Sequence, residues 1–114
     1  MKRTLIALSL FVTPAVANAH ATLDHASPPV DSTSSSAPKE VVLYFTQQLE
    51  PKFSGADVQN SSGESVSSGS ARASGTEMRI GLKALPPGTY KVIWHVLSVD
   101  THRTQGSFSF RVGQ

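Results

Sequence analysis

Thr89-Tyr90-Lys91-Val92-Ile93-Trp94-His95-Val96-Leu97 decides the fold. Tyr90, Val92, Trp94 and Val96 fall on one side of an extended chain. Ile93, His95 and Leu97 fall on the other. A period of two in β-branched and aromatic residues is the signature of a strand with one buried face. Leu85-Pro86-Pro87-Gly88 is a turn immediately before it. Beyond it, Phe108, Phe110 and Val112 alternate with Ser107, Ser109 and Arg111, and this strand closes the domain.

The same period extends toward the N-terminus. In Glu77–Leu82, Met78, Ile80 and Leu82 alternate with Arg79 and Gly81. Glu40–Thr46 carries the run Val41-Val42-Leu43-Tyr44-Phe45, whose near-continuous apolarity predicts burial on more than one side. Phe53–Gln59 reads as a strand with Phe53 and Val58 inward and Gly55 marking a candidate bulge. Ala21–Ala26 reads as the first strand, ended by Ser27-Pro28-Pro29. Residues 31–38 read as a Ser-rich loop. Asn60–Thr76, rich in Ser and Gly, reads as a long hairpin loop or a pair of poorly packed edge strands. No helical period follows residue 19. Six or seven short strands predict an all-β, two-sheet Greek-key sandwich, a single domain over residues 20–114.

Residues 1–19 read as a cleaved secretory signal peptide. Lys2 and Arg3 supply the positive end, Leu5–Val12 the apolar stretch, and Ala17-Asn18-Ala19 a small-x-small cleavage site. The apolar stretch is far shorter than the roughly 20 residues a membrane-spanning helix needs. Removing 19 of the 114 residues leaves 95 residues, beginning at His20. The chain has no Cys, so the core must hold an exported domain together without disulfides. Its formal charge of +2 includes Lys2 and Arg3; without them cations and acids balance at 8 each. With no basic stripe, nucleic-acid binding is poorly supported.

With four His and no Cys, a metal site must use imidazole, carboxylate, amide or amine. A terminal His20 offers its α-amine and Nδ1, which can close a six-membered chelate ring on one ion. Asp100-Thr101-His102 offers a carboxylate and an imidazole at i and i+2, positions that share a side in an extended segment. Nitrogen-rich ligation with a carboxylate suits Cu(II), with Zn(II) the competing ion. Taken singly, Asp100 and His102 read better as a solvated loop Asp with a surface His, and it is their combination with His20 that points to a metal.

The segment from Gly88 to Phe110, with G-T-Y-x-V-x-W and then S-x-D-x-H-x-x-x-G-x-x-x-F, resembles the C-terminal signature of the CopC family of periplasmic copper-resistance proteins. Phe53-Ser54-Gly55-Ala56, His20 and Ala26-Ser27-Pro28 also match, so the resemblance spans residues 20–114. It implies a seven-stranded cupredoxin-like or Ig-like sandwich. It also implies one Cu(II) per chain, held by a histidine brace of the His20 amine and ring and a His102 nitrogen. Asp100 would supply oxygen or orient the site. Two departures stand out. Where some members carry a Glu beside the Cu(II), this chain has Gln47, which we do not count as a ligand. The loop that is Met-rich in some members has neither Met nor His here, and Met78 reads as core, so a thioether Cu(I) site is not expected.

The other candidates read as structural. His25 reads as a structural or surface residue, and His95 as lying on the face opposite Trp94. Trp94 reads as core with a partner for its indole N–H, and Tyr90 as bonded back to the preceding turn. No nucleophile–base set is visible. The sequence thus predicts a periplasmic Cu(II)-binding protein, not an enzyme, for copper sequestration, resistance or delivery. The resemblance implies an inner-membrane partner of the CopD type. The alternatives are a copper-dependent oxidative enzyme of the histidine-brace type and a non-metal adhesion or assembly module.

Overall fold

The computed structural model describes residues 21–113. Eight strands form two four-stranded sheets: β1 Leu23–Ser27, β2 Thr33–Ser34, β3 Glu40–Phe45, β4 Gly55–Gln59, β5 Arg72–Ser74, β6 Glu77–Gly81, β7 Gly88–Leu97 and β8 Arg103–Val112. One sheet has the order β1-β3-β6-β5 and the other β2-β8-β7-β4. The chain passes between sheets at β1–β2, β2–β3, β3–β4, β4–β5 and β6–β7, and both sheets contain crossovers. This is the expected all-β sandwich. One short 3-10 turn, Pro51–Phe53, interrupts the strands.

Alternation fills the space between the sheets. Tyr90, Val92, Trp94 and Val96 of β7 are buried, as are Phe108, Phe110 and Val112 of β8. From the other sheet come Val41, Leu43, Phe45, Met78 and Ile80. Phe45 meets Trp94 edge-on, with ring centroids 5.1 Å apart, and Phe110 stacks on Tyr90 at 5.6 Å. The Tyr90 hydroxyl donates to the Pro86 carbonyl, as its position after the turn predicts.

Several local expectations are corrected. Residues 31–38 are not wholly loop: Thr33 and Ser34 pair in parallel with Arg111 and Val112. Gly55 makes no bulge, since β4 pairs with β7 without a register shift. The His95 ring lies over the glycine instead; a Cβ would fall 2.9 Å from His95 Cε1, so the ring would have to move aside. The register shift lies instead in β1, between Leu23 and His25. Phe53 is 56% exposed, not inward. The Ser/Gly-rich 60–76 segment forms β5 as a three-residue edge strand, with isolated bridges from Ser65 to Gln59 and from Ser67 to Leu82.

Candidate metal centre

The β7–β8 hairpin carries Asp100 and His102 at its tip. Inward parity along β7 continues past Val96 to Ser98, which is wholly buried. The chain then reverses: Thr101 N–H donates to the Ser98 carbonyl at 2.8 Å and Ser98 N–H to the His102 carbonyl at 2.9 Å. Thr101 stands at φ 72°, the left-handed conformation that closes such a three-residue hairpin loop. Segment 48–50 braces the tip from the side: Val99 N–H donates to the Gln48 carbonyl at 3.0 Å and Glu50 N–H to the Leu97 carbonyl at 2.8 Å.

This turn brings Asp100 and His102 together, with Asp100 Oδ1 3.4 Å from His102 Nδ1. Their side chains are 43% and 44% exposed. The geometry differs from the extended i, i+2 arrangement that the sequence suggested. A left-handed Thr101 between the two residues makes the contact, not strand parity. The Ser98 hydroxyl donates to Asp100 Oδ1 and accepts from His102 N–H at 3.3 Å. That Ser98 bond is the main cause that holds the Asp100 carboxyl below its ordinary value; desolvation opposes it, and the bond and charge of His102 add to the lowering. A carboxylate that stays ionised and an imidazole, side by side and half open to water, suit a divalent first-row cation.

His20 lies outside the described residues, as do the cleavage site and the rest of 1–19. Its neighbour is firmly placed. Ala21 is fully buried, and its carbonyl accepts from Thr104 Oγ1 at 2.7 Å. Thr22 N–H donates to Thr46 Oγ1 and Thr46 N–H to the Thr22 carbonyl, both at 3.0 Å, and the two hydroxyls touch. The start of the described chain is therefore fixed against β8 two residues from His102. Among the described residues, no group of three or more His, Asp or Glu could hold an ion. Asp100 and His102 form a pair.

The other His residues lie apart from this pair. His25 stacks on Tyr44, ring centroids 4.3 Å apart, and meets Asp24 at 2.8 Å. His95 sits on the outer face of its sheet over Gly55. Gln47 is half-buried in the segment that leads to Gln48, beside the tip. Trp94 is core and packs across Gly106, where a Cβ would approach its Cζ2 to 2.6 Å. Met78 is fully buried in the core.

Sequence reasoning assigned no role to Ser98, Thr104 or Ala21. The signal for two of them was present. Ser98 continues the inward series 90, 92, 94, 96, and Thr104 the inward series of Phe108, Phe110 and Val112. A polar residue at an inward position next to a candidate ligand marks a partner for that ligand.

Comparison with known proteins agrees with this architecture. The CopC domain model matches residues 23–113. Protein YobA of Escherichia coli K12 is 36% identical over 105 residues, covering 89% of this chain and 84% of that protein. The crystal structure of CopC from Methylosinus trichosporium OB3b superposes with TM-score 0.77 at 31% identity, covering 82% of this chain and 94% of that one. PcoC, a methionine-rich copper resistance protein from Escherichia coli, superposes with TM-score 0.72 at 35% identity, covering 82% and 99%. Matched over nearly all its described length, in sequence and in fold, the chain belongs to the CopC family.

Proposed function

We propose that this protein binds one Cu(II) per chain in the periplasm through His20, Asp100 and His102, and that it sequesters copper or delivers it to an inner-membrane partner of the CopD type. One observation carries the reading. The Asp100–His102 pair sits beside the strand position that anchors Ala21, so the chain's first described residue starts two positions from His102. Consecutive Cα atoms are about 3.8 Å apart, so a residue 20 freed by cleavage has only a short distance to span. An amine and two imidazoles with one carboxylate favour Cu(II), which heads the divalent affinity series.

Family membership and the names of its relatives support copper as the cargo. PcoC is described as methionine-rich, whereas this chain has two Met, one of them Met1 and the other in the core. A thioether Cu(I) site is therefore not part of the proposal. Binding rather than oxidative catalysis fits a surface where Phe53 is the one large exposed aromatic hydrophobe among the described residues, which gives little grip for a polymer. The test is titration of protein starting at His20 with Cu(II). Uptake of one equivalent, with nitrogen-dominated paramagnetic resonance and no ascorbate-driven turnover of a polysaccharide, is expected. No binding at micromolar protein, or two equivalents, would overturn the reading.

A further inference from the structure

Ser98 is the one buried polar side chain among the described residues, and it is fully buried. A hydroxyl taken wholly out of water is costly unless it is bonded. This one is bonded, and both partners belong to the proposed copper site. Its proton goes to Asp100 Oδ1, and its oxygen accepts the main-chain N–H of His102 at 3.3 Å. Its own main-chain N–H holds the His102 carbonyl at 2.9 Å, and its carbonyl takes the Thr101 N–H at 2.8 Å. Ser98 also lies in an isolated bridge with Leu49, so the core-facing strand end and segment 48–50 fix it from both sides.

We infer that Ser98 is a positioning residue for copper. Its hydroxyl ties one carboxylate oxygen of Asp100 and the backbone of His102 to the rigid sandwich, so both metal-facing side chains are set before the ion arrives. A ligand pair that needs no reordering on binding keeps affinity that a mobile tip would lose. The second oxygen of Asp100 is left for the ion or for a neighbouring ligand. This rests on the copper reading, and the tests below separate the two.

In the metal-free wild type, side-chain couplings of Asp100 by NMR should report one rotamer. Averaging over several rotamers would overturn the inference without any substitution. Ser98→Ala should weaken Cu(II) binding about tenfold, within the range for residues that support ligands, and should change the paramagnetic resonance parameters. Ser98→Thr keeps a hydroxyl and should retain the wild-type spectrum. A double-mutant cycle gives the readout a merely structural role would not move. If Ser98 acts through Asp100, then Ser98→Ala should cost less than about threefold once Asp100→Ala, which removes the accepting oxygen, is present. A Ser98→Ala protein with wild-type affinity and spectrum, or losses that simply multiply, would overturn the positioning role while leaving copper binding intact. Failure of the wild type itself to take up Cu(II) would instead strike the copper reading, and the rotamer measurement would still decide whether the tip is preset.

Discussion

His102 is the residue on which the proposed site turns. It would tie the β7–β8 hairpin to the start of the chain. His102→Ala should therefore lower Cu(II) affinity by more than the ~10–100-fold typical of supporting partners, as read by competition with a chelator. Asp100→Asn should cost less, because an amide still accepts a hydrogen bond. Equal affinities for wild type and His102→Ala would remove the imidazole from the site. Asp57 gives a pH prediction away from copper. Partial burial raises its pKa, but bonds from Ser65 Oγ at 2.6 Å and Ser67 Oγ at 2.8 Å, with lesser help from Gln59 and the Val58 main chain, outweigh that and hold it below the ordinary value. A pKa depressed in the folded state contributes stability above the unfolded value near 3.9. That contribution is lost as pH falls through the folded value. The stability gap between wild type and Asp57→Ala should thus be full at pH 7 and shrink below about pH 4. A gap independent of pH in denaturant melts would show that the Asp57–Ser65–Ser67 bonds do not favour the ionised form.

At the scale of elements, the hairpin tip holds Thr101 in a left-handed conformation that disfavours a β-branched residue. The steric cost is about 1–2 kcal/mol, partly offset against the entropy a glycine loses on folding. Thr101→Gly should therefore stabilise the metal-free protein by roughly 0.5–1 kcal/mol in denaturant unfolding; a loss of stability would show that the threonine side chain earns its place. Gly106→Ala should act in the opposite sense. A Cβ there meets Trp94 Cζ2 at 2.6 Å in a packed interior, and such overpacking costs about 1–3 kcal/mol. β6, β7 and β8 were legible because each buries one face and so writes a period of two into the sequence, and β3 because it is a continuous apolar run. β2 was not legible: two residues pairing through their main chain leave no side-chain pattern. Gly55 was misread because a glycine in a strand signals either a bulge or a close approach, and only the position of the His95 ring decides between them. Asp100 and His102 were found as a pair, but their geometry depends on the backbone of Thr101, which its side chain does not advertise.

At the scale of the whole molecule, the start of the described chain meets the tip of the β7–β8 hairpin at one end of the sandwich. Ala21 lies buried against Thr104, and the Asp100–His102 pair lies just beyond it. No sequence pattern pairs residue 21 with residue 104; that follows from how the sheets close. The α-amine of His20 is then the ligand that cleavage would create. With a pKa of about 7.7–8.0 it must lose its proton to bind metal, so copper uptake should release protons near neutral pH. The decisive measurement is Cu(II) affinity for a matched pair of proteins, one beginning at His20 and one with Ala-Asn-Ala ahead of it. The extended form should bind well over tenfold more weakly, with an altered resonance spectrum, while its metal-free thermal unfolding stays the same. Equal affinity and an unchanged spectrum in the extended form would contradict a site built on the N-terminal amine.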